Sequence, residues 1–252
     1  MDQIITERSG SILRVELNRP AKRNAMTSRM YVTLANVFND AAKDERIRVV
    51  LWHGAGDSFC AGNDIEDFLK NPPGPGESPQ ARLMHALLDF DKPLVAAVQD
   101  ADALRLRTRG REREVSDAFV NLAVVPEFGS SYSVPARIGH IRPAELILLG
   151  LPFDARRAAD LGFVTQVVPD PNLLATASET ARELAAKPAG ALQASKRLMK
   201  RPFREHIKAA MKAKNEKFSA QVRSADAKEA FAAFLEKRLP HFTGTVSSST
   251  AA

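Results

Sequence analysis

The segment Ala61-Gly62-Asn63-Asp64 sets two small residues before two polar ones, shortly after Gly54-Ala55-Gly56. Small residues at 61 and 62 let a backbone come close to a bound molecule. An ordinary Gly/Asp turn after a strand would use the same residues. Lys22 and Arg23 lie in a polar, proline-containing loop, residues 18–24, and such cations suit phosphate oxygens or solvent equally. Arg105, Arg107, Arg109, Arg111 and Arg113 alternate with Leu, Thr, Gly and Glu, a pattern of neither a buried strand nor a core helix. They are interleaved with acids, lack aromatic stacking partners and match no nucleic-acid motif. A solvated charged segment is the better account, and no nucleic-acid partner is expected. His53, His85, His140, His206 and His241 show no metal-ligand spacing, so no metal site is expected. The single Cys60 excludes an internal disulfide and a cysteine metal cluster.

The elements that must position these residues follow from periodicity. Residues 11–17 alternate apolar and polar, as a half-buried strand does. After Thr27, Met30, Leu34, Val37, Phe38 and Ala41 recur at three- and four-residue steps, which predicts a helix. Residues 48–53 read as a buried strand. Residues 71–79 hold four prolines and two glycines and predict a loop. A short helix at 81–90 and a buried strand at 93–98 come next. Further on, the pattern predicts a turn at 126–131, helices at 143–149 and 155–161, a strand at 163–168 and helical structure from 173 to about 239. Strands alternating with helices predict an α/β layered fold. There are no internal repeats.

Of 252 residues, 44% are hydrophobic and 6% aromatic, so aliphatic side chains pack the core. The net charge of +6 favours an anionic partner. No apolar run reaches about 18 residues, so no membrane span is expected. The start of the chain has no secretory pattern, and with one cysteine a cytoplasmic location is expected.

Residues 54–65, with Ala61-Gly62-Asn63-Asp64, resemble the signature of the crotonase (enoyl-CoA hydratase/isomerase) family. Three other stretches agree in order. Asn18-Arg19-Pro20-Ala21-Lys22-Arg23-Asn24-Ala25 resembles the family's coenzyme A loop, residues 92–99 the strand before its second oxyanion glycines, and residues 233–242 its terminal helix. The resemblance covers nearly the whole chain except about 100–118. It implies an α/β, crotonase-like spiral of ββα units with a helical C-terminal region. In domain terms, residues 1–190 form the acyl-CoA-binding core, 191–242 a helical oligomerisation region and 243–252 a disordered tail. A homotrimer or dimer of trimers is implied, with an acyl-CoA thioester as partner and no cofactor beyond the coenzyme A that the substrate carries.

The chemistry implied by the resemblance is stabilisation of an enolate formed from that thioester. Two preorganised N–H donors aimed at the thioester oxygen lower the barrier. The Asn63 N–H takes the place of the first, with Ala61, Gly62, Asp64 and Ile65 around it and Asp64 ordering the turn. Lys22, Arg23 and Ala25 fall in the coenzyme A loop. Phe234 and Lys237 match residues that, in the family, reach a neighbouring subunit's adenine and phosphate, although Phe234 could equally be a core residue. Neither glutamate of the hydratases is visible, because one position falls in the atypical segment and the other is Phe119. Glu127 remains. It resembles the single glutamate of the enoyl-CoA delta isomerase branch, which moves a proton between C2 and C4, though a carboxylate capping the helix near Ser130 would read the same way. The second donor has no counterpart, since Gly110 is the sole glycine in the gap and nothing beside it supports that role. An enoyl-CoA hydratase or another acyl-CoA lyase of the family is the alternative reaction, and a catalytically impaired acyl-CoA binder the alternative of another class.

Overall fold

A computed structural model of the chain describes residues 2–71, 77–99, 114–115, 119–150 and 153–242. Strands β1 (Ile4–Ser9) and β2 (Ile12–Leu17) form an antiparallel hairpin, with Ser9 opposite Ile12. On β2, Leu13, Val15 and Leu17 are buried in alternation, as the period-two pattern requires. The chain then enters α1 (Ser28–Lys43) through Thr27, whose hydroxyl accepts the Met30 N–H and so satisfies an otherwise orphan donor. Met30, Leu34, Phe38 and Ala41 of α1 are buried, matching the expected stripe.

Strand β3 (Val49–Gly54) lies parallel to β2, and β4 (Leu94–Ala97) parallel to β3, giving a sheet of order β1-β2-β3-β4. Helices α2 (Ile65–Lys70) and α3 (Pro79–Asp89) fall between β3 and β4. Ser78 caps α3 and Pro79 opens it, so the proline-rich loop ends in a helix start. One sheet face packs on α1 and α3 through Leu13, Val15, Val50, Leu34, Phe38, Leu83 and Phe90. The other packs Val49, Leu51 and Ala97 against Ala177 and Ala181 of α7 (Asp170–Ala186). β3 is buried on both faces, as a strand between helical layers must be.

The remaining elements are β5 (Glu114–Val115), α4 (Ser130–Ile138), α5 (Ile141–Leu149), β6 (Phe153–Asp154), α6 (Ala155–Asp160), α8 (Ala189–Gln221) and α9 (Ala225–Glu236). β5 pairs with β6 in a two-residue antiparallel ladder. Three expectations are corrected. Residues 163–168 are not a strand; among the described residues no strand lies beside them to form a ladder, and Val167 is exposed. The turn expected at 126–131 gives way at Ser130 to α4, a helix hidden from the sequence by Pro135 inside it. The long helical stretch is three helices, broken at Lys187-Pro188 and at residues 222–224. Residues 72–76, most of the arginine-rich segment with Gly110, and the tail 243–252 lie outside the described residues.

Candidate functional site

Loop 18–25 is stitched to the turn after β3 by Asn24, which is fully buried with its backbone in the left-handed region. Its side-chain oxygen accepts the Arg19 N–H at 2.8 Å, and its amide donates to the carbonyls of Ala55 at 2.9 Å and Ser58 at 2.6 Å. Gly54 is obligatory here, because a side chain would collide with the Ser58 and Phe59 carbonyls and with the Asn24 amide. Asn24 therefore fixes where Lys22, Arg23 and Ala25 stand relative to residues 55–64.

A second seam joins residues 23–26 to 61–64. Ala61 donates its N–H to Arg23, Met26 donates to Gly62, and Asp64 donates to Met26, at 2.8–2.9 Å. Met26 and Asn63 thus form an isolated parallel bridge. In such a bridge the residue flanked by the two bonds turns its own N–H away from the partner strand. The Gly62 N–H meets the Cys60 sulfur at 3.4 Å. Among the described residues, the N–H of Asn63 is then the one in Ala61-Gly62-Asn63-Asp64 left without an acceptor. Its side-chain oxygen is held by the Tyr31 hydroxyl at 2.8 Å.

Asp64 caps α2 by accepting the Asp67 N–H, and it faces the Arg19 guanidinium at 3.0 Å. Burial alone would raise its carboxyl, but the Asp67 N–H and Arg19 outweigh that and hold it below the usual carboxylate range. It orders the turn. Arg19 also donates to the Ala25 carbonyl at 2.6 Å. Lys22 stands at the rim, exposed and 3.5 Å from Glu66, and Arg23 is exposed with a left-handed backbone.

Glu127 reaches this region from the other side of the chain. Phe128 and Gly129 both take left-handed backbone angles, which turn the chain sharply from residues 124–127 into α4. A side chain at Gly129 would press on Ile207 of α8, so glycine lets the turn approach that helix. The Glu127 carboxylate is 10% exposed and does not cap α4, whose N-terminus has no side-chain cap. It accepts instead from Lys214 of α8 at 3.2 Å, and Lys214 is 7% exposed. Burial pushes the Tyr31 phenol well above its usual range, and the charge of the Glu127 carboxylate adds to that.

An apolar wall completes the region. Ile65 and Phe68 of α2 pack with Val124, with Phe218 of α8 and with Ala227 and Phe231 of α9; Phe119, Val125, Val222 and Phe234 lie against them. One cluster therefore joins the helix after Asn63, the segment before Glu127 and the turn after Lys214. Phe234 packs, within one chain, against the cluster that holds Ile65. Lys237, exposed at the left-handed end of α9, has its described contacts within its own helix end and none to Lys22 or Arg23.

Sequence reasoning missed Arg19, Asn24, Tyr31 and Lys214. The first two stand inside the quoted loop motif. Lys214 had a readable signal, for it interrupts a helical stripe of Ile207, Met211, Phe218 and Val222, where periodicity asks for an apolar residue.

This arrangement offers a free backbone donor, a buried carboxylate and an apolar wall, as chemistry on an acyl thioester would require. The enoyl-CoA hydratase/isomerase family matches residues 7–103 and 106–245, and the chain belongs to that family. It is 30% identical over 260 residues to 1,2-epoxyphenylacetyl-CoA isomerase of Escherichia coli K12, covering 97% of this chain and 99% of that one. It is also 30% identical to a probable enoyl-CoA hydratase of Bacillus subtilis 168, covering 90% and 93%. The solved structure of Pseudomonas aeruginosa OdaA superposes with a TM-score of 0.85 and 38% identity, over 93% of this chain and 99% of that one. The fold is thus the crotonase α/β fold with a helical C-terminal region. The break in the family match, between 103 and 106, falls in the arginine-rich segment. Among the described residues, no helix is long and apolar enough to cross a membrane.

Proposed function

We propose that the chain isomerises a 3-enoyl-CoA to the 2-enoyl-CoA with Glu127 as the single acid/base. Glu127 takes a proton from C2, the electrons pass into the thioester carbonyl, and the Asn63 N–H meets the developing oxyanion. Returning the proton from Glu127 to C4 gives the conjugated product and restores the carboxylate. Atoms and charge balance within the pair of enzyme and substrate, and no cofactor is needed beyond the substrate's own coenzyme A. Lys22 and Arg23 contact the coenzyme A phosphates, with Lys237 supplying a further cation from a neighbouring copy.

The observation that carries this reading is one unspent backbone N–H and one buried carboxylate on segments joined by a single apolar cluster. Hydration would need a second carboxylate, and the position to which the resemblance assigns it is Phe119, part of the apolar wall. The test is turnover of a 3-enoyl-CoA by wild type and Glu127→Gln. The wild type is expected to isomerise and the variant to lose about 10²- to 10⁴-fold in kcat. A variant that keeps most of the rate removes Glu127 from the role of base.

Assembly into a trimer or dimer of trimers through residues 191–242 is part of the same proposal. Leu198, Met199 and Phe203 of α8 stand exposed and suit an apolar contact between copies. Light scattering on purified protein gives the mass directly, and a monomeric mass at micromolar concentration would refute it.

A further inference from the structure

Lys214 touches the proposed acid/base, yet the proton transfer above makes no use of it. It occupies an apolar stripe of α8 between Met211 and Phe218, both buried, where an ammonium loses most of its hydration. Such a residue persists only if it is paired. Its two described interactions are the Glu127 Oε1 contact at 3.2 Å and the Phe218 ring, 4.8 Å from Nζ and one turn along the helix. The ring and the carboxylate both attract the ammonium. Among the described residues, the second carboxylate oxygen of Glu127 has no hydrogen-bond partner.

We propose that Lys214 is the positioning residue for Glu127: its ammonium binds one carboxylate oxygen and leaves the other to exchange the substrate proton. The proposal rests on the isomerase reading. Lys214 itself neither gives nor takes a proton. The pair spans 87 residues of sequence, so α8 carries part of its own chain's active site as well as any contact between copies.

The experiment compares wild type with Lys214→Met and Lys214→Arg, with Lys214→Gln replacing Lys214→Met if that variant does not fold. Two readouts are taken on the full chain: the pH profile of kcat/KM on a 3-enoyl-CoA, and a substrate-free ¹³C-carboxyl titration in which Glu127→Gln identifies the signal. Losing the ammonium is expected to move the acidic limb and the titration together to higher pH, by roughly one pH unit or more. At neutral pH kcat falls at least about tenfold while KM changes little, and Lys214→Arg restores most of the rate. A titration that stays in place overturns the role of Lys214 whatever the activity. A titration that moves in an enzyme that turns over no 3-enoyl-CoA keeps the pairing and overturns the isomerase reading instead.

Discussion

The two sides of the site are built on different principles. The Asn63 side is sewn from main-chain hydrogen bonds and the buried Asn24 amide, between segments that lie within the first 64 residues. The Glu127 side hangs on one ion pair to α8 and on apolar packing from residues 119–125, α8 and α9. A hydrogen-bonded seam fixes atoms to a few tenths of an ångström by directional geometry. An ion pair between long side chains fixes charge more firmly than position. The contrast fits the tasks proposed for the two sides: on the isomerase reading an oxyanion donor must stand still, whereas an acid/base must serve two carbons.

This contrast can be broken or sharpened by measurement, beginning with its strongest element. Lys214→Met alone leaves Glu127 as an unpaired buried charge and is expected to cost about 3–5 kcal/mol in urea unfolding. Adding Glu127→Leu should recover most of that loss; a double variant as unstable as the single would show that the pair is not the source. Asn24→Ala orphans one buried N–H and two carbonyls, and about 2–4 kcal/mol should disappear from the same unfolding curves. Coenzyme A ester binding should weaken along with it as loop 18–25 loosens.

Smaller effects come from Lys196 and Tyr31. Burial, and then the charge of Lys200, pull the Lys196 ammonium down to about 8 against the attraction of Asp91. The unfolded chain keeps that proton to about 10.5, so between these values the unfolded state binds more protons and stability rises with pH. The gain, of order 1–2 kcal/mol after allowing for solvent, should vanish in Lys196→Met when chemical melts are compared at pH 7.5 and 10. Tyr31→Phe removes the bond to the Asn63 side chain at a cost of about 1 kcal/mol. It should reduce kcat only a few-fold, because the backbone bridge still holds the donor; a collapse of activity would move Tyr31 into the catalytic machinery.

Legibility followed the same divide. β2, α1 and β3 were readable because each has one face to bury and shows it as period two, period 3.6 or a continuous apolar run. Ala61-Gly62-Asn63-Asp64 stood out as small residues set before polar ones in a fixed local order, though only the resemblance separated it from an ordinary turn. Glu127 could be singled out only through the resemblance, and its partner Lys214 reads as one more cation on a basic helix until the third dimension places it. α4 stayed hidden behind Pro135, and residues 163–168 carry a strand's composition without a strand's neighbour. Local geometry is written in neighbouring letters; a contact across 87 residues is not.

The bridge between Met26 and Asn63 makes the donor a matter of parity. Successive peptide groups along a ladder face opposite ways, so a slip of a single residue in 61–64 would spend the Asn63 N–H on Met26 and turn its neighbour's outward. The outward N–H would then come from a different residue, and every side chain of the turn would stand one place away from it. Length between Gly56 and Cys60, more than the identity of the residues there, is therefore what evolution or an engineer has to leave untouched.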